Sequence, residues 1–478
     1  MFIKEELIIM IDKVLHFFNK LSQYPRSSGH EEQVANFLVE FAKERNLVFY
    51  KDKYNNVLIK KINKNKKPII LHSHTDMICV SDNDYDIDFL TSPIKTIIKD
   101  NYLSAYKTSL GADNGIGVAI ILAFLDQNND YNIEALFTAD EESTMTGALN
   151  FDYSKLKSNM MVSLDGMCDD ELINGCASIC DMKINFTPQF KKTNLNGYQL
   201  KVCGLKGGHS GNDIALDIGN SNNILAYVLS NLSNLQIQSF NGGNQFNFIP
   251  NESIATFISN DFESKFENIK NELLETYPNL ILTYEKVKIN KITSEKFSLN
   301  FVNFLNKIKT GVIESEMPQE FSDLFKNPNL ETLVSNIKII LSQNLSSVDL
   351  DTGLIKISQR GHDKQLEENN INFIKSIANK NNFKFEIYDK QPGFNALKNS
   401  KLTNLLTKIY EQQNSSKLKI VNKHISLEAC IFKQKLPNLD VAIVSPKIYD
   451  VHSTKERVYI PSIKTTCDLL SSLLNENI

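Results

Sequence analysis

Between Asn55 and Gly166 short apolar runs alternate with stretches of helical periodicity, and this alternation narrows the possible folds more than any other feature of the chain. Residues 56–60, 67–72, 133–138 and 161–164 have the length and apolar content of strands. Residues 113–127 have those of a helix, with Asp113 at its capping position. Such alternation implies an α/β layered domain with a mostly parallel sheet and flanking helices. Another strand-like run at 440–444 and a last helix at 461–474 repeat the pattern near the other end. At 478 residues the chain is too long for one hydrophobic core. Its middle changes character, with β-alternating stretches at 200–205 and 354–359, long polar helices and Asn/Ser-rich connections. The expected organisation is one domain of residues 1–183 plus 389–478, interrupted by an inserted α+β domain of residues 184–388. The lysine-rich run 60–67 reads as a solvated hairpin turn between two strands.

The formal net charge of −4 gives no reason to expect nucleic acid or an anionic membrane as a partner. The N-terminal stretch 1–19 reads as an amphipathic helix, with Ile3, Leu7, Ile11, Val14 and Leu15 near one face. Its acids and its lack of a small-residue cleavage site argue against a signal peptide. The longest apolar run, 115–125, is too short to span a bilayer. Seven cysteines, without a CxxC pair, fit reduced thiols and a cytoplasmic location.

Several chemistry-bearing residues fall at or just beyond the ends of these runs. In His74-Thr75-Asp76, residues two apart on an extended chain point the same way, so His74 can bind a metal while Asp76 fixes its imidazole. Taken alone, such a triplet is also a common chance occurrence. Asp113 lies among Gly111, Gly115 and Gly117 and is equally readable as a helix cap. Asp140-Glu141-Glu142 faces either solvent or cations, because three adjacent carboxylates repel. Asp165 closes the 161–164 run, and His452 follows the 440–444 run.

The combination is more telling than its parts. The edge of an open α/β sheet beyond its strand ends is where ligands bind. Two imidazoles and three carboxylates suit zinc, manganese or cobalt. With one carboxylate shared, His74, Asp113, Glu142, Asp165 and His452 can hold two ions about 3.5–4 Å apart, leaving Glu141 to deprotonate a bridging water. The near-matches to other enzymes fail. Val34 stands where a zincin helix needs its second histidine. Asn212 stands where a nucleophile elbow needs its last glycine.

These motifs, in this order, resemble the co-catalytic dizinc metallopeptidases that include aminoacylases and carboxypeptidase G. Within that clan the chain is most similar to the Xaa-His (aminoacyl-histidine, carnosinase-like) dipeptidases, through Pro25-Arg26, 30–33, Leu136-Phe137-Thr138, 204–211, and His424 with Leu427-Glu428. The resemblance implies that residues 1–183 plus 389–478 form the catalytic domain and 184–388 a lid or dimerisation-type domain. It implies that Asp113 bridges two metals, with His74 and Asp165 completing one site and Glu142 and His452 the other. Asp76 then supports His74, and Glu141 is the general base. His209 stabilises the oxyanion. Asn247 and Arg360 hold the substrate carboxylate, and His424 and Glu428 join them as substrate-binding residues.

Three places depart from the family pattern. His72 stands where a glutamine or small residue is expected, the 169–172 segment is short, and Gln359-Arg360-Gly361-His362 matches only at the arginine. The implied activity is metal-dependent hydrolysis of dipeptides, of the Xaa-His (β-Ala-His) type or of broad specificity, with two divalent ions. Zinc is the first expectation, with manganese or cobalt as alternatives. The rival readings are an N-acyl amino-acid deacylase or tripeptidase of the same clan, and a non-catalytic metal-binding descendant. The expected state is monomer or homodimer.

Overall fold

The computed structural model describes residues 2–316 and 338–476. Met1 of the expected N-terminal helix, residues 317–337 of the expected insert, and residues 477–478 lie outside the described residues, as do the side chains of Ile3 and Leu7. The chain forms two compact units, one of residues 1–176, 394–423 and 427–478, the other of 177–393 and 424–426. The division falls at 176/177 and 393/394, outside the expected 183/184 and 388/389. The reason is that Ser178–Asn185 and Lys384–Gln391 pair with each other in the second unit's sheet. A short excursion at 424–426 also carries His424 into the second unit.

The first unit is built on an eight-stranded sheet. Its order is Val48–Lys51, Val57–Lys61, Ile133–Thr138, Ile69–His74, Met160–Ser163, Asp440–Ile443, Glu171–Cys176, Lys419–Lys423. The four central strands, from Ile133–Thr138 to Asp440–Ile443, run parallel to their neighbours. The outer pairings are mixed, antiparallel at Val48–Lys51, Val57–Lys61 and the Asp440–Ile443/Glu171–Cys176 junction. Four of the seven pairings are parallel, including the outermost one between Glu171–Cys176 and Lys419–Lys423, so the expectation of a mostly parallel sheet holds. Every residue of Ile69–His74 and Ile133–Thr138 is buried, as strands covered on both faces must be.

The 60–67 run does not close a hairpin. Val57–Lys61 and Ile69–His74 each pair with Ile133–Thr138, which lies between them. Three of its lysines are tied down, with Lys60 donating to Glu134, Lys61 to the carbonyl of Gln127 and Lys66 to the carbonyl of Leu474.

The helix Ala112–Leu125 is buried along its whole length, which explains its uniformly apolar sequence. Helix Phe2–Leu21 packs beside it, burying Val14, Phe17, Phe18 and Leu21. Among the described residues no helix is long and apolar enough to cross a membrane.

The second unit is an antiparallel sheet of nine strands with helices Ser221–Ser230, Phe262–Thr276, Glu295–Lys307 and Lys364–Lys380. Some of its strands show the half-buried alternation absent from the centre of the first unit, while Lys338–Asp349 is buried along most of its length. Ser178–Asn185 buries every second residue. Asn220, Ser294 and Asp363 cap three of the helices through their side chains.

Candidate metal centre

Four parallel strands end at one edge of the first unit's sheet, and each leads into one or more of the expected ligands. His74 is the last residue of its strand, Glu141 and Glu142 follow Thr138, Asp165 follows Ser163 by two residues, and His452 lies in the loop beyond Asp440–Ile443. Asp113 enters from the start of the long buried helix.

Asp113 stands between the two imidazoles. Its Oδ1 is 3.3 Å from His74 Nε2 and its Oδ2 is 3.3 Å from His452 Nε2. Asp165 Oδ1 lies 3.6 Å from His74 Nε2, and Glu142 Oε1 lies 2.8 Å from His452 Nε2. One carboxylate with an oxygen turned to each imidazole, and a second carboxylate on either side, is the donor pattern of a two-ion site. Single atoms of His74, Asp113 and Glu142 lie within 4.8 Å of one another, which gathers donors from both sides of the expected pair around Asp113. Asp165 Oδ2 is buried with no hydrogen-bond partner among the described residues, a donor atom suited to a cation. The residues present therefore fit a pair of divalent metals.

The electrostatics show the same demand for positive charge. Burial opposes a charge on His74, but Asp113, Asp165 and Asp76 outweigh it and hold the imidazole well above its ordinary value. Burial likewise opposes a charge on His452, yet Asp113 and Glu142 lift it to about 10. Burial alone would raise Asp113, but His452 and His74 hold it well below the usual carboxylate range. Glu141 is buried and differs in direction. Burial, reinforced by Asp165, Glu142 and Glu428 and opposed by His74, lifts it well above an ordinary glutamate. A carboxylate poised to take and return a proton is what general base and acid work needs.

The acidic triplet is split by its backbone. Asp140, at φ 63°, bonds to Thr144, while Glu141 and Glu142 turn inward. Asp76 holds that turn as well as His74. Its Oδ1 lies 3.3 Å from His74 Nδ1 and accepts the Glu141 N–H at 3.0 Å, and its Oδ2 accepts the Glu142 N–H at 3.1 Å.

Asp113 is not a helix cap. The carboxylate of Glu456 accepts the N–H groups of Leu110, Gly111, Ala112 and Asp113 at 2.7–3.2 Å, filling the helix N-terminus and leaving Asp113 free to face the imidazoles. Arg26, wholly buried, donates to the carbonyls of Thr75, Asp76 and Gly111 and so ties the histidine turn to the aspartate loop. Gly111, at φ 69°, is required there, because a Cβ would sit 2.4 Å from Arg26 Nη2. Sequence reasoning missed Glu456 and the task of Arg26. The signal available was a glutamate four residues after His452 in a loop already suspected.

The remaining candidates lie in the second unit, except Glu428. His209 sits on the two-residue strand Gly208–His209 beside Phe248–Ile249, and the Asn247 carbonyl accepts the Ser210 N–H at 2.8 Å. His209 Nδ1 accepts N–H groups from Gly211 at 3.2 Å and Asn212 at 3.1 Å, which leaves the ring proton on Nε2. Arg360 is buried on strand Leu354–Gly361, and burial lowers it to about 10 against the pull of Asp181. His424 Nε2 lies 2.7 Å from Ser342 Oγ, and its ring centroid lies 5.5 Å from that of His362.

Glu428, expected to touch substrate, is instead wholly buried in the first unit. Its Oε2 bonds to His72 Nε2 at 3.0 Å and Thr138 Oγ1 at 2.5 Å. Its position opening the helix Glu428–Lys435 turns it into the sheet, and its partner is the histidine that departs from the family pattern.

The model of Peptidase family M20/M25/M40 matches residues 70–476. The chain is 30% identical to the cytosol non-specific dipeptidase of Escherichia coli (strain K12), over 96% of each chain. It is similar to the crystal structure of the aminoacylhistidine dipeptidase of Vibrio alginolyticus, with a TM-score of 0.82 and 28% identity over 97% of this chain and 96% of that one. A tripeptidase of Staphylococcus aureus shares the fold, with a TM-score of 0.55 and 15% identity over 98% and 99% of the two chains.

Proposed function

Because this chain belongs to peptidase family M20/M25/M40, we propose that it hydrolyses the peptide bond of dipeptides with the help of two divalent metal ions. The observation that carries this reading is the Asp113 carboxylate, with one oxygen turned to His74 and the other to His452. Asp113 would be shared by the two ions, His74 and Asp165 would hold one, and Glu142 and His452 the other. Zinc is the first candidate, with manganese or cobalt as alternatives, since imidazole and carboxylate donors suit all three. When bound, such ions make water a nucleophile near neutral pH and polarise the scissile carbonyl.

The chain's own residues do the rest. Glu141 takes the proton of the attacking water and returns it to the leaving amine, and its raised affinity for a proton suits both halves of the task. His209, with its proton on Nε2, donates to the developing oxyanion. Arg360 takes the substrate's free carboxylate, with Asn247 and His424 as polar partners. A guanidinium buried without an ion-pair partner within 4 Å among the described residues is suited to an anionic ligand. A fixed carboxylate anchor limits substrate length, which favours dipeptides over longer peptides. The Xaa-His class, including β-Ala-His, is the finer expectation, and a cytoplasmic location accompanies it.

The test is hydrolysis of Ala-His, β-Ala-His, Gly-Gly and Leu-Leu by metal-stripped protein, before and after adding zinc, manganese or cobalt. Metal-restored cleavage is expected, fastest on the histidine dipeptides. Binding of metal without cleavage of any dipeptide would overturn the reading and favour a deacylase or a non-catalytic metal-binding protein.

A further inference from the structure

We propose that His72 and Glu428 form a positioning pair that sets the spacing of the three strands carrying His74, Glu141, Glu142 and Asp165; this rests on the metal-centre reading above. His72 is wholly buried in the strand Ile69–His74, two residues before His74 and on the same side of the strand. It stands opposite Leu136 on one neighbouring strand and Ser163 on the other, while His74 stands opposite Thr138. Its imidazole reaches both neighbours. Nδ1 lies 2.9 Å from Ser163 Oγ, and Nε2 lies 2.9 Å from Thr138 Oγ1 and 3.0 Å from Glu428 Oε2. Thr138 Oγ1 donates to the same Glu428 oxygen at 2.5 Å.

Each strand tied by this ring runs straight into a ligand. Ser163 Oγ also accepts the Asp165 N–H at 3.4 Å, so the hydrogen-bonded chain runs from Glu428 through His72 and Ser163 to the backbone of a ligand. On the other side, Thr138 is the last strand residue before the turn bearing Glu141 and Glu142. The ring also packs edge-on against Phe432, 4.6 Å between centroids, which holds the helix Glu428–Lys435 over the same point.

Backbone ladders alone fix how strands pair, but they leave small shears that metal ligands cannot tolerate. A side-chain cross-link away from water resists such shears more strongly than the same bonds would at the surface. Simple filling of the core does not account for the pair. Glu428 Oε1 is buried with no hydrogen-bond partner among the described residues, an arrangement that apolar side chains of similar size would avoid.

The experiment compares wild type, His72→Phe, His72→Gln and Ser163→Ala, each first checked for a native circular-dichroism spectrum. Each is loaded with Co²⁺ for its visible absorption, titrated against a chelator for metal affinity, and assayed for kcat and KM on a dipeptide. His72→Phe is expected to lower metal affinity and kcat by about 10–100-fold and to alter the cobalt spectrum, with KM within about twofold. Ser163→Ala should move the same quantities less, and His72→Gln, which can keep a bond to Glu428, should recover most of the loss. The proposal fails if folded His72→Phe keeps wild-type affinity, spectrum and kcat, or if His72→Gln is as impaired as His72→Phe. Should His72→Phe not fold, Ser163→Ala decides, and wild-type values for it would overturn the proposal. If wild type binds cobalt but cleaves no dipeptide, the proposed function is lost while affinity and spectrum still judge the pair.

Discussion

His74 and His452 in the first unit and His362 and His424 in the second are the same side chain in opposite electrical surroundings. The first pair faces Asp113, Asp165, Asp76 and Glu142, which overcome burial and hold protons on both rings, His452 up to about 10. Burial pushes the second pair the other way, helped by cationic neighbours. His362 falls to about 4 with Lys338 nearby, and His424 to about 3 beside His362 and Arg360. One unit is arranged to receive cations, and the other keeps neutral imidazoles beside a guanidinium suited to an anion. Burial has the same sign in both units, so the neighbours decide what each histidine is for.

The largest effect that would sharpen this contrast concerns Glu141, the carboxylate proposed for chemistry rather than for holding metal. Glu141→Gln should lower kcat by on the order of 10²–10⁴-fold while leaving metal content unchanged. Steady-state kinetics beside metal analysis would check it, and loss of metal would move Glu141 among the ligands. In the second unit, Arg360→Ala should raise KM by about 10–100-fold with metal affinity unchanged, and Arg360→Lys should recover only part. An unchanged KM for a dipeptide with a free carboxylate would remove Arg360 from substrate binding. Back in the first unit, Glu456→Gln weakens the cap that holds the Asp113 loop. It should lower metal affinity by about tenfold, read by chelator competition, with KM little changed.

The smallest effect is on stability and separates the pairs by pH. Lowered imidazoles bind fewer protons folded than unfolded, so the stability from His362 and His424 is present above about 6.5 and is lost as pH falls towards about 4 for His362 and about 3 for His424. Raised imidazoles act oppositely. In metal-free protein the contribution of His452 is present below about 6.5 and lost as pH rises through about 10. Melting temperatures across that range should fall at both ends, and the paired substitutions His362→Gln and His424→Gln should flatten only the acid side.

The candidate ligands were legible in the sequence because each lies within a few residues of a strand end or helix start. Local periodicity marks those ends. Of the partners that hold the ligands, Asp76 was legible from its spacing to His74, while Glu456 and Arg26 were not, because their signals are non-local. Glu456 and Arg26 bond to backbone groups of the 110–113 loop and the 75–76 turn, and backbone donors and acceptors leave no trace in side-chain pattern. The hairpin expected at 60–67 failed for a related reason. The strand that separates its two arms, Ile133–Thr138, comes much later in the chain. Glu428 looked like a substrate residue until its burial against His72 was visible. In the second unit, alternation at 200–205 and 354–359 marked strands of an α+β insert, but the division falls elsewhere because the pairing of its end strands is itself long-range.

The most direct measurement of the central claim is a zinc titration of metal-stripped protein that follows bound metal and dipeptide cleavage together, in wild type and Asp113→Ala. Two ions per wild-type chain are expected, with activity reaching its plateau at the second equivalent, and Asp113→Ala should fail to hold the pair and lose cleavage. Full activity at one equivalent, or two tightly held ions in active Asp113→Ala, would contradict the reading of Asp113 as the carboxylate both ions share.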